Sequence, residues 1–206
     1  MAATPRVLFL DIGGVLLSNA WGHESREKAA ELFDLDFKET EHLHNFIFNV
    51  YEIGKITLDQ YINIVVFNKE RSFSKESFKE FMFAQSIELP GMLQWLKDFK
   101  AKNRNLRIIS INNEGTDLNN YRIEKFELHR CFDAFVSSGE VGMRKPDPGI
   151  FQLAMGIAKV PPEHCFYFDD RIILAQAAAR LGINAYQHQN LDTTKSIIEK
   201  ISSTDN

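Results

Sequence analysis

Apolar residues follow two rhythms along the chain. Short unbroken runs at 7–10, 106–111, 134–137, 165–168 and 185–187 read as buried strands. Between and after them, residues 92–100, 119–126, 149–158, 172–181 and 192–201 carry apolar positions at helical spacing. Met92, Leu93, Leu96 and Phe99, for example, fall on one helical face. Strand and helix alternate, which predicts an α/β fold: a Rossmann-like core built on a parallel sheet.

The first strand is separated from the second by a long stretch with helical character only. Leu43, Phe46, Ile47, Val50 and Tyr51 form an apolar stripe, and Gly54 is placed to stop that helix. Thr57 and Gln60 have the spacing of a capping box for the next helix, and Phe78, Phe81 and Met82 stripe another. These aromatics read as packing residues. The expected division is therefore a core of residues 1–15 and 89–206 and a small helical cap of residues 16–88, inserted after the first strand. Such an insertion lies above the carboxyl end of the strand it follows, where open parallel sheets bind ligands. It is placed to act as a lid, and residues 18–24 are expected near the mouth of the site.

Composition narrows the function classes. The 206 residues are 44% hydrophobic, enough to fill a core. The 24 basic and 28 acidic side chains leave a charge of −4, which argues against a nucleic-acid-binding face. Cys131 and Cys165 have neither metal-ligand nor disulfide-framework spacing. The first residues lack a signal-peptide core, and no apolar run approaches the roughly 18 residues of a membrane span. A soluble cytoplasmic protein with no membrane and no nucleic-acid partner is expected, its oligomeric state unspecified.

Candidate chemistry gathers at the ends of four successive strands. Asp11 ends the first, Asn112 and Asn113 end the second, Lys145 follows the third, and Asp169 and Asp170 end the fourth. Each has an ordinary use as a turn or cap residue, but a parallel sheet brings all of them to one edge. Crowded carboxylates raise one another's pKa unless a cation joins them. A few carboxylates with water completing the shell suit Mg²⁺, and a lysine beside them adds charge for a dianion such as phosphate. A carboxylate so placed can attack phosphorus.

The segments carrying these residues, "FLDIGGVLL", "IISINNEG", "RKPDPGIF" and "YFDDR", resemble in order the four motifs of the haloacid dehalogenase (HAD) superfamily. "YEIGKITLDQY" is similar to a cap segment of its small-helical-cap (C1-type) phosphatase branch. The resemblance implies a Mg²⁺-dependent phosphatase acting on a small phosphorylated metabolite through an aspartyl-phosphate. Asp11 would be nucleophile and metal ligand, with the Gly13 carbonyl, Asp169 and Asp170 completing the metal site. Lys145 would neutralise the phosphoryl group and orient Asp11, and Asn112 and Asn113 would hydrogen-bond phosphoryl oxygens.

Two positions depart from the family pattern. Its first motif is D-x-D, whose second aspartate protonates the leaving group and activates water; here that position is Gly13, which keeps only the backbone carbonyl. Losing such a group typically costs about 10²–10⁴-fold in rate, and His23 and Glu114 are the candidate substitutes. Asn112 stands where Ser or Thr is usual, and its amide can still donate to a phosphoryl oxygen. These departures keep two other readings open: a non-catalytic or weakly active relative that binds a phosphorylated ligand, and a metal-independent 2-haloacid dehalogenase.

Overall fold

A computed structural model of the chain describes residues 5–203. Five parallel strands form one sheet in the order β3-β2-β1-β4-β5: β1 (Val7–Leu10), β2 (Arg107–Asn112), β3 (Ala134–Ser137), β4 (Cys165–Asp169) and β5 (Asn184–Gln187). The expected α/β Rossmann-like architecture is thus present. β1 is central and wholly buried, which is why it reads as an unbroken apolar run rather than an alternating one.

Its side chains divide between two layers. Leu8 and Leu10 pack on α5 (Met92–Lys102) and α10 (Leu191–Ser203) through Leu93, Leu96, Phe99, Ile198 and Ile201. Val7 and Phe9 face α8 (Pro148–Ala158) and α9 (Ile172–Ala179) through Ile150, Phe151, Ala154 and Ala178. Helices on both faces leave the carboxyl edge of the sheet as the open place. Register aligns that edge: Leu10 pairs with Ser110 on one side and Phe168 on the other. The Asp11 amide then donates to the Phe168 carbonyl at 2.9 Å, setting Asp11 beside the β4 end.

Between β1 and α5 lie four helices: α1 (His23–Leu32), α2 (Phe37–Glu52), α3 (Leu58–Val65) and α4 (Lys75–Ala84). They share their own apolar cluster, with Trp21, Tyr51, Tyr61, Ile62, Phe78 and Met82 at its centre. Thr57 and Gln60 form the expected capping box, and Gly54 takes a left-handed φ of 69° just beyond α2. Where the chain crosses to and from these helices, the two linkers pair: Ser18 N–H donates to Ile87 O and Leu89 N–H to Leu16 O. Leu16 and Leu17 belong to the sheet's cluster, so the crossing falls at Ser18, a little later than the sequence suggests.

The stripe expected on α2 is partly rotated. Phe46 is 77% exposed, and the buried line runs through His44 and Tyr51. The anchor is Tyr61, which stacks on Tyr51 and hydrogen-bonds His44 Nδ1 at 2.7 Å. Phe46 stands about 100° round the helix from Ile47 and so misses that contact.

The remaining helices complete the core. α6 (Thr116–Lys125) follows β2 and contributes Leu118 to the insertion's cluster, and the short α7 (Ser138–Val141) follows β3. No helix among the described residues is long and apolar enough to cross a membrane.

Candidate active site

A buried cluster of charged groups stands at the sheet's carboxyl edge. Lys145, 1% exposed, places Nζ 3.0 Å from Asp11 Oδ2 and 2.8 Å from Asp169 Oδ2. Its backbone is clamped by Asn113, whose Oδ1 accepts from Lys145 N–H at 2.8 Å while Nδ2 donates to the Lys145 carbonyl at 2.9 Å. Asn113 therefore ties the β2 end to the loop that carries the lysine, a use beyond the phosphoryl contact expected of it.

Asp169 is fully committed. Oδ2 also accepts from the Tyr167 hydroxyl, and Oδ1 accepts from Arg171 N–H at 2.9 Å. Asp170 is different: its Oδ1 is buried with no hydrogen-bond partner. One ligand atom each from Asp11, Asp169 and Asp170 lie within 4.8 Å of one another, close enough to hold a metal ion. An orphaned buried carboxylate oxygen beside two further carboxylates is the donor set of a hard divalent cation.

Gly14 makes that approach possible. It has φ +72°, and a Cβ there would collide with the Asp170 carboxylate, so both conformation and space demand glycine.

Electrostatics follow from burial. Asp11 is pushed up to about 6, first by desolvation and then by Asp169, while Lys145 pulls it down. Asp170 is raised by burial and by Asp169. Each shift is the response of a carboxylate short of positive charge.

Above these groups opens a cavity of about 270 Å³. Asp11, Gly13, Asn112, Asn113 and Lys145 line its floor, and Asn19, Trp21, Arg26, Phe48 and Glu52 line the side formed by the insertion. The four strand ends thus converge as expected. Asn112 is buried, and its amide donates to Asn119 Oδ1 at 3.1 Å. Both candidate proton carriers border the cavity. The His23 side chain is 59% exposed and lies 3.4 Å from Glu27 and from Glu41. Glu114 is largely shielded from water, and that desolvation pushes it up to about 7 although Arg122 lies 2.5 Å away.

Sequence reasoning passed over Arg122, Arg144 and Arg171 at this cavity. Arg144 and Arg171 each adjoin a residue it did single out, Lys145 and Asp170; that adjacency was the available signal. Arg122 reaches the site from α6 and had none.

Comparison with known proteins identifies the family. The profile of the haloacid dehalogenase-like hydrolases matches residues 5–182, and the chain belongs to that family. It is 27% identical over 190 residues to drimenol cyclase drtB of Aspergillus calidoustus, covering 87% of this chain and 33% of that one. It is 27% identical over 185 residues to a phosphorylated carbohydrates phosphatase of Thermotoga maritima, covering 85% of this chain and 81% of that one. The fold is shared with a HAD family enzyme of Bacteroides thetaiotaomicron solved with magnesium and inorganic phosphate. That likeness has a TM-score of 0.76 at 21% identity, over 90% of this chain and 94% of the other. Six of the curated relatives are longer proteins, and the matched stretches span 14% to 47% of their length.

Proposed function

We propose that this hydrolase is a Mg²⁺-dependent phosphatase that acts on a small phosphorylated metabolite through an aspartyl-phosphate formed on Asp11. The observation that carries the reading is the buried Asp11–Lys145–Asp169 constellation beside the orphaned Asp170 oxygen. Asp11, Asp170 and the Gly13 carbonyl would hold the ion, with Asp169 at its edge. When bound, the ion supplies positive charge that offsets the carboxylates and the transferring phosphoryl group.

The protein's own groups do the rest. Lys145 Nζ holds Asp11 in its ionised form and faces the incoming dianion. Asp169 and Tyr167 hold the lysine, and Asn113 holds its backbone. An Asp11 oxygen is then free to attack phosphorus in line with the departing group.

The helical insertion that begins beyond Ser18 acts as a cap. It closes the cavity with Trp21 and Phe48 as apolar wall and Asn19, Arg26 and Glu52 as polar groups. A site of this size and mixed lining suits a phosphorylated carbohydrate or a molecule like it, in keeping with the Thermotoga relative's name. Gly13 predicts low turnover on substrates whose leaving oxygen needs a proton.

The test is hydrolysis of an aryl phosphate with and without Mg²⁺ by the wild type and Asp11→Asn. Hydrolysis that needs both Mg²⁺ and Asp11 is expected. Metal-independent release of halide from a 2-haloacid, or no reaction at all, would overturn the reading.

A further inference from the structure

The side chain missing at residue 13 has a structural stand-in. A Cβ built on Gly13 would lie 2.9 Å from Asn19 Oδ1, and no other side chain comes nearer. In an aspartate the carboxylate oxygens stand ~2.4 Å from their own Cβ, by standard bond lengths. The Asn19 amide therefore occupies space that a side chain at position 13 would need.

Three features present it there. Ser18 is pinned on both sides, by its N–H and hydroxyl on the 85–87 linker and by Arg122 Nη2 on its carbonyl at 2.5 Å. Ala20 is buried and holds φ at 37°, a left-handed conformation that costs an alanine about 1–2 kcal/mol. Trp21 is anchored in the insertion's core by its indole N–H on Tyr61 Oη at 2.9 Å. Between these fixed neighbours Asn19 alone is exposed, bordering the same cavity as Asp11 and Gly13. Strain kept beside a site is paid for by surrounding contacts and marks positions held for a purpose.

We propose that Asn19 is a positioning residue for the leaving-group oxygen and the hydrolytic water, filling from the cap linker the seat that Gly13 leaves empty. The proposal rests on the phosphatase reading above. An amide donates and accepts hydrogen bonds but does not give up its proton. In the first half-reaction an Asp11 oxygen bonds to phosphorus as the bond to the leaving oxygen breaks. That oxygen keeps the electron pair, hydrogen-bonded to Asn19 Nδ2, and takes its proton from cavity water. In the second, a water held by Asn19 Oδ1 attacks phosphorus, loses a proton to solvent and frees the Asp11 carboxylate. The sum is ester plus water giving alcohol plus inorganic phosphate. The site accordingly favours leaving groups that depart without an internal acid.

The experiment compares wild type, Asn19→Ala and the near-isosteric Asn19→Asp on aryl and alkyl phosphates of graded leaving-group acidity. Thermal midpoint and Mg²⁺ affinity are recorded alongside. For Asn19→Ala, kcat should fall about tenfold or more across the series through lost positioning, with midpoint and Mg²⁺ affinity unchanged. Asn19→Asp should gain most on the poorest leaving groups and acquire a new ionisation in the pH profile of kcat, which a structural role would not produce. An active wild type with both variants matching it in kcat, leaving-group slope and pH profile would overturn the proposal and leave the phosphatase reading standing. A wild type without Mg²⁺-dependent hydrolysis would overturn both.

Discussion

Lys145 carries a positive charge where almost no water reaches it, and its partners explain how. Two carboxylates lie within 3.0 Å of Nζ, and removing either would leave a buried charge short of a counter-ion. Its backbone depends on Asn113. Asn113→Ala should lower kcat by roughly tenfold to a hundredfold through loss of position, with KM changed far less; steady-state kinetics on an aryl phosphate check this. Because Asp11 is pushed up to about 6 without the ion, protons and Mg²⁺ compete for it. Mg²⁺ affinity should be constant above that pH and weaken as pH falls through it, by roughly tenfold per unit well below; calorimetric titration at several pH values reads it. Gly14→Ala meets both a φ of 72° and the Asp170 carboxylate, and should cost about 1–3 kcal/mol of stability together with much of the Mg²⁺ affinity. Asp11, Lys145 and the aspartate pair, which the structure brings together, stood out in the sequence as charged residues at or just beyond strand ends. Asn19 was not. Its place depends on a left-handed Ala20 that no glycine announces.

Among the elements, the helical insertion holds itself together by means that respond to acid. Arg26 grips Glu41 through two hydrogen bonds at 2.7 Å and holds its carboxyl down to about 2, against an ordinary 4.5. The stabilisation is therefore complete above pH 4.5 and is lost as pH falls towards 2. Burial depresses His44 from 6.5 to about 4. The unfolded chain takes up that proton first, so stability declines as pH falls from 6.5 towards 4. Thermal midpoints across this range should fall more for wild type than for Glu41→Gln below pH 4.5; parallel curves would refute the assignment. Strands β1 to β5 were legible almost to the residue, since buried parallel strands are unbroken apolar runs. The facing of α2 was not, because periodicity locates a stripe without saying which partner it meets. Tyr61 decides that, and Phe46 is left outside.

At the scale of the whole molecule, a rigid sheet edge meets a four-helix insertion across two paired linkers. Arg122 spans the junction, bonded at 2.5 Å both to Glu114 beside the site and to Ser18 in the linker. The insertion brings aromatic and polar groups over Asp11, while the sheet supplies the charge constellation. In the proposed phosphatase, chemistry belongs to the sheet and selectivity to the insertion. The most direct measurement is acid quenching of wild type turning over a ³²P-labelled phosphate ester with Mg²⁺, followed by mapping of the label. A hydroxylamine-sensitive acyl phosphate on the Asp11 peptide, absent in Asp11→Asn, is predicted. Turnover with no label on that peptide, or a label that survives in Asp11→Asn, would contradict it.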